Sequence, residues 1–116
     1  DLVLAKQVIK DILGNDAFKE ITIDRVISFV SSCFKIHEKL ITGKGRKQDV
    51  VLARQIAMFL SREFTGSTLV RVGAHFGKRD HSTVIHACSI IEKKLKKDKV
   101  FKNKINKLIF DIENIK

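Results

Sequence analysis

Asp80, His81, Ser82 and Thr83 stand in a row, directly after the cations Lys78 and Arg79 and just ahead of an apolar pattern at Val84, Cys88, Ile91 and Leu95. Spacings of four, three and four mark one face of a helix that opens at His81 and runs to about Lys97, so the polar residues fall at its leading edge. A helix N-terminus offers free amides and the positive end of its dipole to anionic oxygens, and the hydroxyls of Ser82 and Thr83 add donors for the same groups. His81 brings a ring for a thymine methyl and a nitrogen for a phosphate. Asp80 is the discordant member. A carboxylate among phosphates is unfavourable unless it has a task, and two tasks fit here: capping the helix, or accepting a hydrogen bond from the exocyclic amine of cytosine or adenine.

Upstream, an apolar stretch ends at Phe76, and Gly77 supplies the backbone freedom of a sharp reversal. Leu69 to Ala87 therefore has the outline of a helix-turn-helix, in which the second helix reads bases through its N-terminal residues and the first braces it across the backbone. The segment T-G-K-G-R-K-Q-D, with Lys44, Arg46 and Lys47, is a second candidate contact, because a basic arm can enter a minor groove while a helix occupies the neighbouring major groove. The lysines from Lys93 to Lys104 read as a long-range field rather than a site. His75 and His86 fall by spacing near the packed side of the motif. No His, Cys or acidic set has zinc-site spacing, and the chain shows neither a phosphate-binding loop nor a nucleophile with a base and an orienting partner. A binding module without metal, cofactor or catalytic activity is expected.

The elements that must hold these residues are helical. With 116 residues, 44% hydrophobic, no proline and isoleucine, leucine and valine recurring at helical spacing, the chain suits one all-α domain, a multi-helix bundle. Its formal net charge of +10 favours polyanionic partners, nucleic acid or acidic lipid. The pattern predicts an amphipathic helix over Val3 to Leu13, then one N-capped by Thr22 with Ile23, Val26, Ile27, Val30 and Phe34 inward. A short turn over His37 to Ile41 follows. A long helix from Val50 to Phe64, with Asp49 as N-cap, buries Ala53, Ile56, Ala57, Leu60 and Phe64 and leaves Arg54, Gln55 and Arg62 outside the stripe. Gly66 closes it, Ser67 or Thr68 opens the next, and Phe101, Ile105, Leu108, Ile112 and Ile115 define a last helix. Cys33 and Cys88 lie on helical stripes and read as reduced, packed thiols. No apolar run has the roughly 20 residues of a membrane span and no signal peptide is apparent, so a soluble, cytoplasmic, nucleoid-associated protein is expected.

The run V-G-x-x-F-G-K-R-D-H-S-T-V-I-H-A resembles the signature of the C-terminal DNA-binding domain of the DnaA family, the bacterial chromosomal replication initiators. The resemblance extends from I-T-I-D at Ile21 through A-R-Q-I-A-M at Ala53 to Met58; residues 1–19 resemble the end of an ATPase lid and a connecting helix, leaving 20–116 as the DNA-binding domain. It implies a Trp-repressor-like variant of the helix-turn-helix that binds DnaA boxes, the short repeats of the replication origin, and anchors the initiator for origin opening. It implies base contacts from Asp80, His81 and Ser82 in the major groove and from Arg46 in the minor groove. Arg54, Gln55, Arg62, Leu69, Arg79 and Thr83 would hold the DNA backbone, with Lys44, Lys47 and Lys78 beside them. ATP, Mg and self-assembly belong by this resemblance to an ATPase domain of a longer parent, absent from this sequence, and the chain itself is expected to be a monomer. The sequence departs from the pattern at Ser82, where many relatives have Thr, at Ala53 and Val70, where some have proline, and at Ile90, which replaces a common basic residue.

Two other classes are compatible with the same residues. Val3 to Leu13 and the lysine-rich helices suit a peripheral module on acidic phospholipid, and the stripe of the first helix suits a protein-docking module.

Overall fold

Thr22 ends an extended segment, and its hydroxyl accepts a hydrogen bond from the Arg25 amide at 3.2 Å, capping α1 (Ile23–Phe34), which buries Ile23, Val26, Ile27 and Val30. The computed structural model describes residues 21–114. The helix expected over Val3 to Leu13, the division after residue 19 and the apolar position at 115 lie outside the described residues.

α1 stops where Lys35 turns left-handed, at φ 55°, and the amides of Lys35 and Ile36 both reach back to the Ser31 carbonyl. Ile36 then drops into the core. α2 (Glu38–Thr42) follows, its N-cap His37 accepting from the Lys39 amide through Nδ1 at 3.1 Å. α3 (Gln48–Phe64) begins two residues before the expected start. Lys47 is its N-cap and makes no side-chain capping bond, while Asp49 sits inside the first turn and accepts from the Val50 amide at 2.9 Å. The earlier start has a simple cause: the positive end of the dipole favours an acid within the first turn as well as at the cap, so residue type alone does not separate the two.

α3 is the spine of the fold, with every residue from Ile56 to Ser61 buried. Gly66, at φ 68°, carries the chain away from its end, and Thr68 caps α4 (Leu69–His75) by accepting from the Arg71 amide at 3.1 Å. α5 (His81–Lys97) makes its most extensive contact with α3, burying Val84, Ala87, Cys88 and Ile91. Asp98 ends α5 and, through its carboxylate, caps α6 (Lys99–Glu113) at the Phe101 amide. Phe101, Ile105, Leu108, Ile109 and Ile112 of α6 close the core, each large aliphatic contributing about 1.5–3 kcal/mol by its removal from water. The described residues are thus all helical, a bundle containing a helix-turn-helix.

Two expectations about packing fail. Cys88 is fully buried but Cys33 is exposed, and His86 faces solvent rather than the packed side. Each sits at the edge of an apolar stripe, where a one-residue rotation of the helix decides the outcome. His75 is half-buried, its Nδ1 3.3 Å from the Asp24 carboxylate of α1.

Candidate nucleic-acid interface

Between α4 and α5 the chain reverses within five residues. The Phe76 amide donates to the Gly73 carbonyl at 3.1 Å and the Arg79 amide to the same oxygen at 2.9 Å, while Gly77 and Lys78 take left-handed conformations at φ 73° and 58°. The turn folds so tightly onto α4 that a side chain at Gly73 would lie 2.2 Å from the Arg79 carbonyl oxygen. Gly77 faces α2 as closely: a Cβ there would lie 2.6 Å from the Thr42 carbonyl. Both glycines are dictated by close approach, and Gly77 also by its dihedral.

Asp80 is the N-cap of α5 by backbone position, its carbonyl accepting from the Thr83 and Val84 amides at 3.0 and 3.4 Å. Its carboxylate makes no capping bond. One oxygen accepts from the Ser82 hydroxyl at 2.8 Å and the other lies 3.0 Å from His81 Nδ1. The Ser82 hydrogen bond, with the neighbouring His81, holds the Asp80 carboxyl below its ordinary range, so it stands as a fixed, outward-facing negative charge. The structure therefore brings Asp80, His81 and Ser82 into one linked, exposed cluster, with Thr83 exposed beside them. Val84 is the first residue of the helix to be buried.

Lys44, Arg46 and Lys47 are all exposed on the loop between α2 and α3, and Lys78 is exposed in the turn. Gln55 is half-buried, and Leu69 is half-buried with its side chain against the core. Arg54 is not outside the buried face as expected. Only 7% exposed, it donates from Nε to the Ile41 carbonyl at 2.7 Å, from Nη1 to Gly45 at 3.1 Å and from Nη2 to Leu40 at 2.9 Å. Arg79 is half-buried and donates from Nη1 to Phe76 at 2.5 Å and to Thr42 at 3.3 Å, and from Nη2 to Gly43 at 2.5 Å. Burial lowers the proton affinity of both guanidinium groups, and the charge of Arg79 lowers that of Arg54 further. Arg62 also departs from the expected free position. It bridges Glu63 and Glu92 and lies over the Phe59 ring. Although burial pulls the other way, the carboxylates of Glu92 and Glu63 raise its proton affinity, and they offset its charge locally.

Residues 23–91, more than half of the chain, match the family model of the bacterial dnaA protein helix-turn-helix. The chain belongs to the DnaA helix-turn-helix family. It is 40% identical over 109 residues to the chromosomal replication initiator protein DnaA of Lachnoclostridium phytofermentans, a match covering 94% of this chain and 24% of that protein. Against the protein of the same name from Chlorobaculum tepidum it is 42% identical over 113 residues, 97% of this chain and 23% of the relative. The chain thus spans about a quarter of the length of these DnaA relatives. The family match runs from α1 through the buried part of α5, so it contains the reversal, the tip of α5 and the basic loop.

Within this DnaA domain, spacing along the sequence had located the tip and the loop but not the groups that join them. Gly77 had been read from its place at the reversal; Gly73 carried a weaker signal, since a glycine inside a helical pattern costs about 1 kcal/mol against alanine. The carbonyl acceptors of Arg54, nine to fourteen residues away along the chain, leave no periodic trace. Among the described residues no three His, Cys, Asp or Glu side chains gather as a metal site would require, and no helix is long and apolar enough to cross a membrane.

Proposed function

We propose that this domain binds duplex DNA sequence-specifically at the repeats of a replication origin, DnaA boxes, and anchors the initiator of which it forms part. The observation that carries the reading is the tip of α5, where four consecutive exposed polar residues project ahead of the first buried one on a helix whose body is locked into the core. Asp80, His81 and Ser82 meet base edges in the major groove, the fixed carboxylate of Asp80 accepting from cytosine or adenine. Arg46 enters the adjacent minor groove. Lys44, Lys47, Gln55, Lys78 and Thr83 hold phosphates, together with the start of α4 at Leu69. Arg54 and Arg79 lie behind these contacts, their N–H groups largely committed to carbonyls, and Arg62 contributes only the charge that its two carboxylates leave.

Selection of bound sequences from random duplex, followed by fluorescence anisotropy on the enriched duplex and a scrambled one at two salt concentrations, tests this. Arg46→Ala is expected to cost about 1–3 kcal/mol on the enriched duplex and to relax discrimination at its position. Lys44→Ala should weaken both duplexes alike and reduce the log–log salt slope by about 0.9. Equal losses on both duplexes for both variants would leave only an unspecific basic domain.

A further inference from the structure

A helix leaves its last carbonyls without partners, and a five-residue helix such as α2 has few other means of fixing its end. Here the carbonyls of Leu40, Ile41, Thr42, Gly43 and Gly45 each accept from a guanidinium: Arg54, on α3, takes the first two and the last, and Arg79, from the reversal before α5, takes the other two. These carbonyls form the end of α2 and the root of the loop that carries Lys44, Arg46 and Lys47. Among the described residues neither arginine has a carboxylate partner, and the two like charges sit close enough for one to depress the proton affinity of the other. Two unneutralised cations are held side by side by main-chain dipoles alone, an arrangement that needs the planar, several-donor fork of arginine and that a lysine point charge does not reproduce. Gly77 completes the junction, its missing side chain allowing the reversal to touch Thr42.

We infer that Arg54 and Arg79 are positioning residues that lock the basic loop in a fixed relation to the tip of α5, and so set base preference at the site the loop reads without reading a base themselves. The inference rests on the DNA-binding reading above for its functional half. Its structural half concerns the free protein. Residue Arg79 is covalently next to Asp80, so the same side chain that grips the loop root sits one residue from the major-groove cluster, and the spacing of the two contacts is built in before DNA arrives. Preordering spares the loop the entropic cost of being arranged on binding.

The test uses Arg54→Lys and Arg79→Lys in the full 116-residue chain. Lysine keeps the charge and remains a competent phosphate ligand, so a simple phosphate contact would survive the change whereas the fork would not. In the free protein, the amides at the loop root that donate to main-chain carbonyls, those of Leu40, Ile41 and Gly43, are expected to exchange at least about tenfold faster, while the amides of α3 and α5 keep their protection. In a selection from random duplex, preference at the positions lost in Arg46→Ala should flatten, by about tenfold in relative affinity, while preference at the positions lost in Asp80→Ala persists and the salt slope is unchanged. Should Arg54→Lys fail to fold, the more exposed Arg79→Lys carries the test. Unaltered loop exchange, or loop-site and tip-site preferences falling together, would overturn the inference, as would a salt slope reduced with preference intact. Absence of any sequence preference in the unmodified protein would instead overturn the DNA-binding reading, and the exchange measurement would still decide whether the two arginines order the loop.

Discussion

Replacing Gly73 by alanine sets two effects of opposite sign against each other. Helix propensity alone favours alanine over glycine by about 0.8–1.0 kcal/mol, so in an open helix the substitution would stabilise. At this position the added methyl lies 2.2 Å from the Arg79 carbonyl oxygen and 3.1 Å from its carbon, against backbone rather than a movable side chain. Relief requires the reversal to withdraw by about 1 Å, given that ordinary contact begins near 3.4 Å. That movement stretches the bonds from the Phe76 and Arg79 amides to the Gly73 carbonyl, each contributing roughly 0.5–1.5 kcal/mol, and overpacking of this kind costs about 1–3 kcal/mol in total. Because the obstruction is backbone on a hydrogen-bonded turn, the cost falls in the upper half of that range, about 2–3 kcal/mol, and with the propensity gain subtracted Gly73→Ala should be destabilised by about 1–2 kcal/mol. Urea unfolding followed by far-ultraviolet circular dichroism reads this as a midpoint lower by roughly 0.5–1 M, for a slope of about 2 kcal/mol per molar. Gly66→Ala is the control: nothing lies within 4 Å of its added methyl, and the loss there is confined to the left-handed backbone at φ 68°. A Gly73→Ala midpoint equal to or above that of the parent would refute the account of the reversal as a close-packed turn.

Three further outcomes are expected. Thr68→Ala removes the cap on the Arg71 amide and should lower stability by about 1 kcal/mol in the same urea assay. Lys78→Gly relieves a left-handed residue at φ 58° that is exposed and should raise the melting temperature, in line with a gain of about 0.5–1 kcal/mol. Burial pushes the Cys88 thiol up to about 11, whereas an unfolded cysteine ionises near about 8.5. The unfolded chain sheds this proton first, so between those values the thiol makes stability fall with rising pH, by up to about 1.4 kcal/mol per unit. Comparing the pH dependence of unfolding in the parent and in Cys88→Ala isolates that slope, which should be shallower in the variant.

The apolar spacing of Val84, Cys88 and Ile91 was enough to place α5 and its tip, because a helix facing a core must repeat its buried residues at three and four. Capping chemistry was legible at Thr22, where a hydroxyl has one obvious amide to satisfy, and narrowed the start of α4 to Ser67 or Thr68, of which Thr68 is the cap. It misplaced the start of α3, since Asp49 serves the first turn as well as it would a cap. Arg54 was misread for a deeper reason. A charged residue beside an apolar stripe is normally solvated, and only the three-dimensional meeting of α3 with the end of α2 gives it carbonyls to satisfy. The same holds for Arg62, whose partner Glu92 lies thirty residues further along the chain. Local pattern shows which face of a helix is wet or dry; it does not show which distant backbone end arrives there. The grouping of Asp80 with Ser82 was within reach, being two residues apart, yet which of its two expected tasks the carboxylate would take depended on a rotamer.

Along α5 the first three residues are exposed and Val84 begins the buried stripe, while Ile85 and His86 beside it still face solvent. The surface proposed to confer an address and the wedge that keeps the molecule together are therefore separable by mutation, although they share one helix. Substitutions at the first turn can drift, or be chosen by an engineer, without weakening the foundation beneath them. Descendants of such a scaffold can acquire new targets while inheriting the same architecture.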